Sequence, residues 1–85
     1  MTEKKTSRLS DLRPGERAVI CEIQLEGLSR RRLLDFGFVR DTEVAVAFRS
    51  PLGDPTSFQV KGSLIALRKE ESEKILVEKI ISEIR

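Results

Sequence analysis

The apolar positions of this chain fall into short alternating stretches broken by one helical segment. After the polar opening MTEKKTSRLS, the run LSDLRPGERAVICEIQL carries Pro14-Gly15, a pair suited to the two central positions of a type II turn, where glycine enters positive φ at little cost. A strand is expected just beyond it, because Val19, Ile20, Ile23 and Leu25 are β-branched or bulky; Cys21 within it reads as a small hydrophobe. The next stretch, GLSRRRLLDFGF, has Ser29 as a candidate N-cap and Gly37 as a left-handed C-cap, which predicts a short helix with Leu33, Leu34 and Phe36 on its apolar stripe.

Beyond the helix the period returns to two. Val44, Val46 and Phe48 alternate with Ala45, Ala47 and Arg49, the pattern of a half-buried strand. Phe58 and Val60, a break at Lys61-Gly62-Ser63, and then Leu64 to Leu67 read as two strands meeting at a tight turn. The end of the chain is ambiguous: Leu76, Val77, Ile80, Ile81 and Ile84 recur at helical spacing, while KILVEK alone suits a strand. Short strands in succession with one small helix predict a small closed barrel, the arrangement that removes exposed sheet edges.

Composition narrows the chemistry more than the fold. With 85 residues, 39% hydrophobic and 35% charged, the chain is one thin-cored domain. No apolar run approaches a membrane span, and the N-terminus lacks the apolar block of a signal peptide, so a cytoplasmic protein without membrane insertion is expected. There is no histidine and only one cysteine, Cys21, which removes the commonest metal ligand, the commonest general base and any internal disulfide. With no paired carboxylates in an evident cleft either, neither an enzyme nor a cofactor or metal site is expected. Glu70, Glu71 and Glu73 read as a solvated acidic face.

Lys and Arg number 16 against 14 Asp and Glu, a balance of +2, so the placement of charge matters more than its sum. Arg30, Arg31 and Arg32 stand at the predicted start of the helix, where the helix dipole disfavours cations. Local physics offers no reason for them, so they are candidate partner contacts. The loop between the central strands, RSPLGDPTSFQV, is the other candidate. It has one glycine and precedes a strand, unlike a phosphate cradle, and Asp54 is its only carboxylate, too few for a hard cation. A hairpin loop remains, stiffened by Pro51 and Pro55 and turned by Gly53-Asp54, with Leu52 and Asp54 displayed at its tip.

The segments LRPGERAVI, RRLLDFGFV, PLGDPTSFQVKGSLIALRKEE and KILVEK, in this order and spacing, resemble the FeoA family of ferrous iron transport proteins, from about Leu9 to Glu78. The resemblance implies a mainly β, SH3-like barrel of about five antiparallel strands, with a short helix inserted after the first. It places a final strand over Lys74 to Glu78, against the helical periodicity. On this frame residues 1–8 are a flexible tail, 9–79 the barrel and 80–85 a C-terminal extension. One departure stands out: after Gly37-Phe38-Val39, Arg40-Asp41 replaces the proline-glycine usual in the family, and a type I turn is expected there.

The function implied by the resemblance is that of a cytoplasmic accessory protein in ferrous iron uptake, docking on the membrane transporter FeoB, which has a cytoplasmic GTPase domain. The partner contacts would be Arg30, Arg31, Arg32, Leu52 and Asp54. Pro14, Gly15, Gly37, Pro51, Gly53, Pro55 and Gly62 would serve the turns. Two alternatives are a nucleic-acid-binding small barrel, suggested by the sequence pI near 9.0 and the arginine cluster, and a stand-alone relative of the C-terminal domain of iron-dependent repressors. The nucleic-acid reading is disfavoured because there is no Trp or Tyr, and the four phenylalanines fall at positions expected to be mostly core, leaving no stacking platform.

Overall fold

The computed structural model describes residues 6–80. Its strands are β1 (Thr6–Arg8), β2 (Arg17–Ile23), β3 (Glu43–Arg49), β4 (Thr56–Val60), β5 (Ser63–Leu67) and β6 (Ile75–Ile80). Helix α1 (Gly27–Phe36) joins β2 to β3, a single turn, α2 (Lys69–Ser72), joins β5 to β6, and a 3-10 turn (Leu9–Asp11) follows β1. All ladders are antiparallel, in one sheet of order β1-β6-β2-β3-β4-β5. The mainly β, SH3-like expectation is met with one more strand than the sequence suggests. Thr6–Arg8, placed in the tail by the sequence reading, pairs with Leu76–Glu78. Ile80 closes β6, while residues 81–85 of the extension lie outside the described residues.

The helical periodicity of the C-terminal segment gives way to the strand. Ile75 and Val77 enter the core at the strand period, and β6 fills the place between β1 and β2. An antiparallel partner on each side satisfies backbone groups that a surface helix would leave to the edges of β1 and β2. Among the described residues no ladder joins β5 to β1, so the sheet is not closed by backbone pairing. At that seam α2 packs against the 3-10 turn, and Leu9 and Leu12 are buried.

The turns follow the local chemistry closely. Gly15 has φ +90°, and the amide of Glu16 donates to the carbonyl of Arg13 at 2.9 Å, as a type II turn over Pro14-Gly15 requires. Gly37 has φ +106° and ends α1 in a Schellman arrangement: its amide donates to Leu34 O and that of Phe38 to Leu33 O, both at 3.0 Å. The β4–β5 hairpin turns on Lys61 (φ +49°) and Gly62 (φ +79°), the two positive φ values of a type I′ turn.

At two turns the structure departs from the reading. Over Val39–Thr42 the amide of Thr42 donates to Val39 O at 3.2 Å, but Asp41 stands at φ +70°, which is a type II geometry and not type I. Aspartate, which visits the left-handed region more readily than most side chains, holds the place of the missing glycine. In the proline loop the amide of Gly53 donates to Ser50 O at 2.8 Å, so Pro51-Leu52, and not Gly53-Asp54, form the hydrogen-bonded turn. Gly53 follows it at φ +89°.

The core is built from every strand except β1, with Ile20, Leu33, Phe38, Val44, Phe58 and Val77 all essentially inaccessible. Two β-bulges break the simple alternation, one between Val46 and Phe48 and one between Ile20 and Glu22. The first moves Phe48 to the outer face, where it is 52% exposed, against its place in the predicted apolar row. Phe36 is also exposed, so only Phe38 and Phe58 of the four phenylalanines are core.

The Pro14-Gly15 turn is anchored to β6 through Glu16, whose carboxylate accepts the Arg13 amide at 2.7 Å and pairs with Lys79 at 2.6 Å. The Lys79 bond, then the Arg13 amide, hold the Glu16 carboxyl below its ordinary range. A depressed folded-state pKa stabilises above the unfolded value, and that contribution is lost as pH falls through the folded one. Acid titration of stability is therefore expected to be shallower for Glu16→Gln than for the parent, as read by urea midpoints across the carboxylate range. At the hairpin, a Cβ on Gly62 would meet nothing within 4 Å, so only its backbone conformation resists substitution. Gly62→Val is expected to cost more than about 1 kcal/mol, lowering Tm by about 4–8 °C or more in thermal melts.

Candidate partner-docking site

Helix α1 begins at Gly27, after the extended Glu26, three residues earlier than a Ser29 cap would place it, and no side chain caps its first turn. Arg30 consequently closes the first turn, and Arg31 and Arg32 lie in the second, where the dipole penalty has faded. Successive residues of a helix point about 100° apart, so the three guanidinium groups fan out and do not form one patch. Arg30 Nη1 donates to the carbonyl of Ile23 at 2.9 Å and ties the helix to the end of β2. Arg32 Nη2 pairs with Glu71 Oε2 at 2.9 Å, linking α1 to α2, and its guanidinium stands 5.8 Å from the Phe36 ring centroid. Arg31 is exposed, with no hydrogen bond or ion pair among the described residues.

The apolar stripe of α1 is narrower than the spacing suggests. Leu33 is fully buried and Leu34 packs on the margin of the core, whereas Phe36 lies beneath Arg32 and Leu28 is 83% exposed. A short helix with one buried residue has little apolar anchorage, so the Arg30 bond to β2 and the Arg32 pair with α2 add to its seating. Gly37 serves the same seating: a Cβ there would stand 3.2 Å from Cδ of Lys61, whose stem crosses the helix end.

The proline loop reaches the same region from the other side. Asp54 Oδ1 accepts the backbone amide of Lys69 at 2.9 Å, and Glu71 Oε1 accepts that of Arg68 at 3.2 Å, so both supply acceptors at the start of α2. Asp54 thus orders α2, and through Glu71 α2 orders Arg32. Leu52 is 94% exposed at the loop tip and touches none of this. The Asp54–Pro55 peptide is cis. A groove of about 570 Å³ runs between α1 and α2, with Ser29 and Arg32 on one wall, Glu70, Glu71 and Lys74 on the other, and Pro55 also lining it.

The structure therefore brings Arg32, Asp54 and Pro55 into one linked set, directs Arg30 to a different hollow beside Cys21 and Arg40, and leaves Arg31 and Leu52 free in solvent. Sequence reasoning took Glu71 for a solvated charge. The signal available was its spacing, three residues after Arg68 at the start of a helix, where a glutamate reaches back to a free amide. Among the described residues no three His, Cys, Asp or Glu side chains are grouped to hold a metal ion, and no helix is long and apolar enough to cross a membrane.

One six-stranded antiparallel sheet with a helix between its β2 and β3 strands and a displayed hairpin loop defines an SH3-like module. The crystal structure of Stenotrophomonas maltophilia FeoA complexed with zinc, described as a prokaryotic SH3 domain protein, superposes with a TM-score of 0.74 at 33% identity, covering 84% of this chain and 88% of that one. The FeoA domain family matches residues 7–79, and the chain belongs to that family. The solution structure of FeoA from Chlorobium tepidum is similar at a TM-score of 0.84 and 36% identity, over 91% of this chain and 73% of that one. A curated relative from Porphyromonas gingivalis, a fusion of Fe(2+) transport protein A with the Fe(2+) transporter FeoB, is 39% identical over 75 residues. That alignment takes in 88% of this chain and only 9% of the fusion protein.

The three arginines are expected to separate in stability measurements. Arg30→Ser loses a bond to a backbone carbonyl and should cost about 0.5–1.5 kcal/mol. Arg32→Ser breaks a pair whose arginine is 52% exposed and should cost about 0–1 kcal/mol. Arg31→Ser should stay within about 0.5 kcal/mol of the parent. Urea midpoints at constant slope check the order.

Proposed function

We propose that this protein is a non-enzymatic, cytoplasmic accessory factor of ferrous iron uptake that docks on a FeoB-type transporter and modulates its activity or assembly. The observation that carries the reading is the P. gingivalis fusion, in which a relative of this domain is part of the same chain as the transporter. Covalent linkage holds two modules at high effective concentration, an arrangement that favours domains that work in contact. Membership of a ferrous iron transport family supports the pathway.

Docking uses what the fold leaves unspent. Arg31 offers a cation with no internal partner, and Leu52 offers an apolar anchor on a loop whose two prolines restrict it before contact. Arg30, Arg32 and Asp54 act beside them by fixing α1, α2 and the loop in one relative placement. This separates the contact set of five residues into two that touch the partner and three that position them.

The test is binding of the purified protein to the transporter's cytoplasmic domain, with iron uptake in a strain lacking the endogenous protein. Arg31→Ser combined with Leu52→Ser is expected to melt as the parent does, yet to bind at least about tenfold more weakly, a loss of about 1.4 kcal/mol, and to fail in uptake. If the double variant binds and complements as the parent does, the contact lies on another face. If the parent itself does not bind, the docking reading fails.

A further inference from the structure

A second, smaller site lies at the seam where the sheet is left unpaired between β5 and β1. There the 3-10 turn, α2 and the proline loop enclose a cavity of about 160 Å³, room for about five waters. Its floor is apolar, formed by Leu9, Leu12 and Phe58, each no more than 2% exposed. The rest of its wall is Arg49, Lys69, Ser10, Thr56 and Ser72, with Gly53 at the loop. That wall holds two cations and three hydroxyls, and no carboxylate.

The fold fixes the Arg49 guanidinium and the backbone of Lys69, and both residues are exposed. The bulge after Val46 shifts the phase of β3, so that Phe48 faces outward and Arg49 Nη2 donates to the carbonyl of Leu12 at 2.7 Å across the seam. That bond uses one of the five N–H donors of a guanidinium group. Lys69 is fixed through its amide on Asp54, which leaves its ammonium uncommitted to any hydrogen bond or ion pair among the described residues. Ser72, 2% exposed, has its hydroxyl at 3.4 Å from Lys69 O, a long bond that leaves its acceptor lone pairs and much of its donor strength unused. Two like charges sharing a partly enclosed space repel unless an anion lies between them.

We propose that this cavity binds a small tetrahedral oxyanion of the phosphate class, held by Arg49 and Lys69, with hydroxyls of Ser10, Thr56 and Ser72 as neutral donors. A bidentate guanidinium, a point-charge ammonium and short hydroxyl arms match an ion with several equivalent acceptor oxygens. Chloride lacks the directed acceptors, and a flat carboxylate offers too few to use both cations and the hydroxyls. The site is separate from the proposed docking residues Arg31 and Leu52, though the proline loop and α2 border both regions. Occupancy would stiffen the two elements that position Arg32.

The experiment is a titration of the purified protein with sodium phosphate at constant ionic strength, followed by amide chemical shifts, with sodium chloride and sodium acetate as parallel arms. Saturable shifts at Ser10, Gly53, Lys69 and Ser72 are expected with phosphate and not with the other two salts. Lys69→Gln keeps the backbone bond to Asp54 and is expected to weaken phosphate binding about tenfold, the loss of one charge-assisted bond. Thr56→Val should weaken it less, and Arg31→Gln not at all. Arg49→Gln also loses the Leu12 contact, so the conclusion rests on the lysine variant. Shifts that do not saturate, that chloride or acetate reproduces, or that Lys69→Gln leaves unchanged overturn the proposal.

Discussion

The pairing of β6 between β1 and β2 is the constraint on which the rest of the molecule depends. Without it β1 has no partner and β2 loses one of its two, and Ile75 and Val77 leave the core they share with Ile20. The ladder joins Arg17 to Ile80, so it closes most of the chain into a loop. Such closure costs little more for a long loop than for a short one, because the entropy grows only with the logarithm of length. It does delay the reward until the chain is nearly assembled, so the hairpins β3–β4 and β4–β5, with their short connections, are the natural first elements to form. The ion pair between Glu16, just before β2, and Lys79 adds a side-chain link at the end of the same ladder.

Turn chemistry was legible in the sequence because its causes are local. Pro14-Gly15, Gly37 and Gly62 mark backbone conformations that other residues reach only with strain, and each stands where the structure uses it. The bulges were not legible. Nothing in EVAVAFRS announces that Ala47 will be the extra residue, because a bulge answers to the register of the neighbouring strand. The consequence runs through two residues: Phe48 leaves the core row and Arg49 reaches the carbonyl of Leu12. Asp41 is an intermediate case, since its position in a turn was readable and its positive φ was not.

The residues of the candidate site could be listed from the sequence, but their partners within the fold could not. Three adjacent arginines read as one positive patch on paper, yet helix geometry sends one to a strand end, one to a glutamate on α2 and one to solvent. The same holds for Asp54, whose carboxylate looks displayed in the sequence and is spent on the Lys69 amide in the structure. A residue's internal partners come from distant parts of the chain, so periodicity and propensity carry no trace of them. What the fold leaves without a partner, Arg31 and Leu52, is a shorter and more useful list than what the sequence leaves unexplained.

The β1–β6 ladder also bears on how the domain can be joined to other polypeptide. Thr6 lies opposite Glu78 and Arg8 opposite Leu76, so the two ends of the described chain emerge side by side at one end of the sheet. A host chain could leave and re-enter at neighbouring points there, with no strand pulled from its register and no long linker to order. A short bridge between the two ends would likewise permit circular permutation, with new termini opened in the exposed proline loop. Built this way, the domain can be appended to or inserted within a larger protein at little energetic cost, as a plug whose two leads share one side.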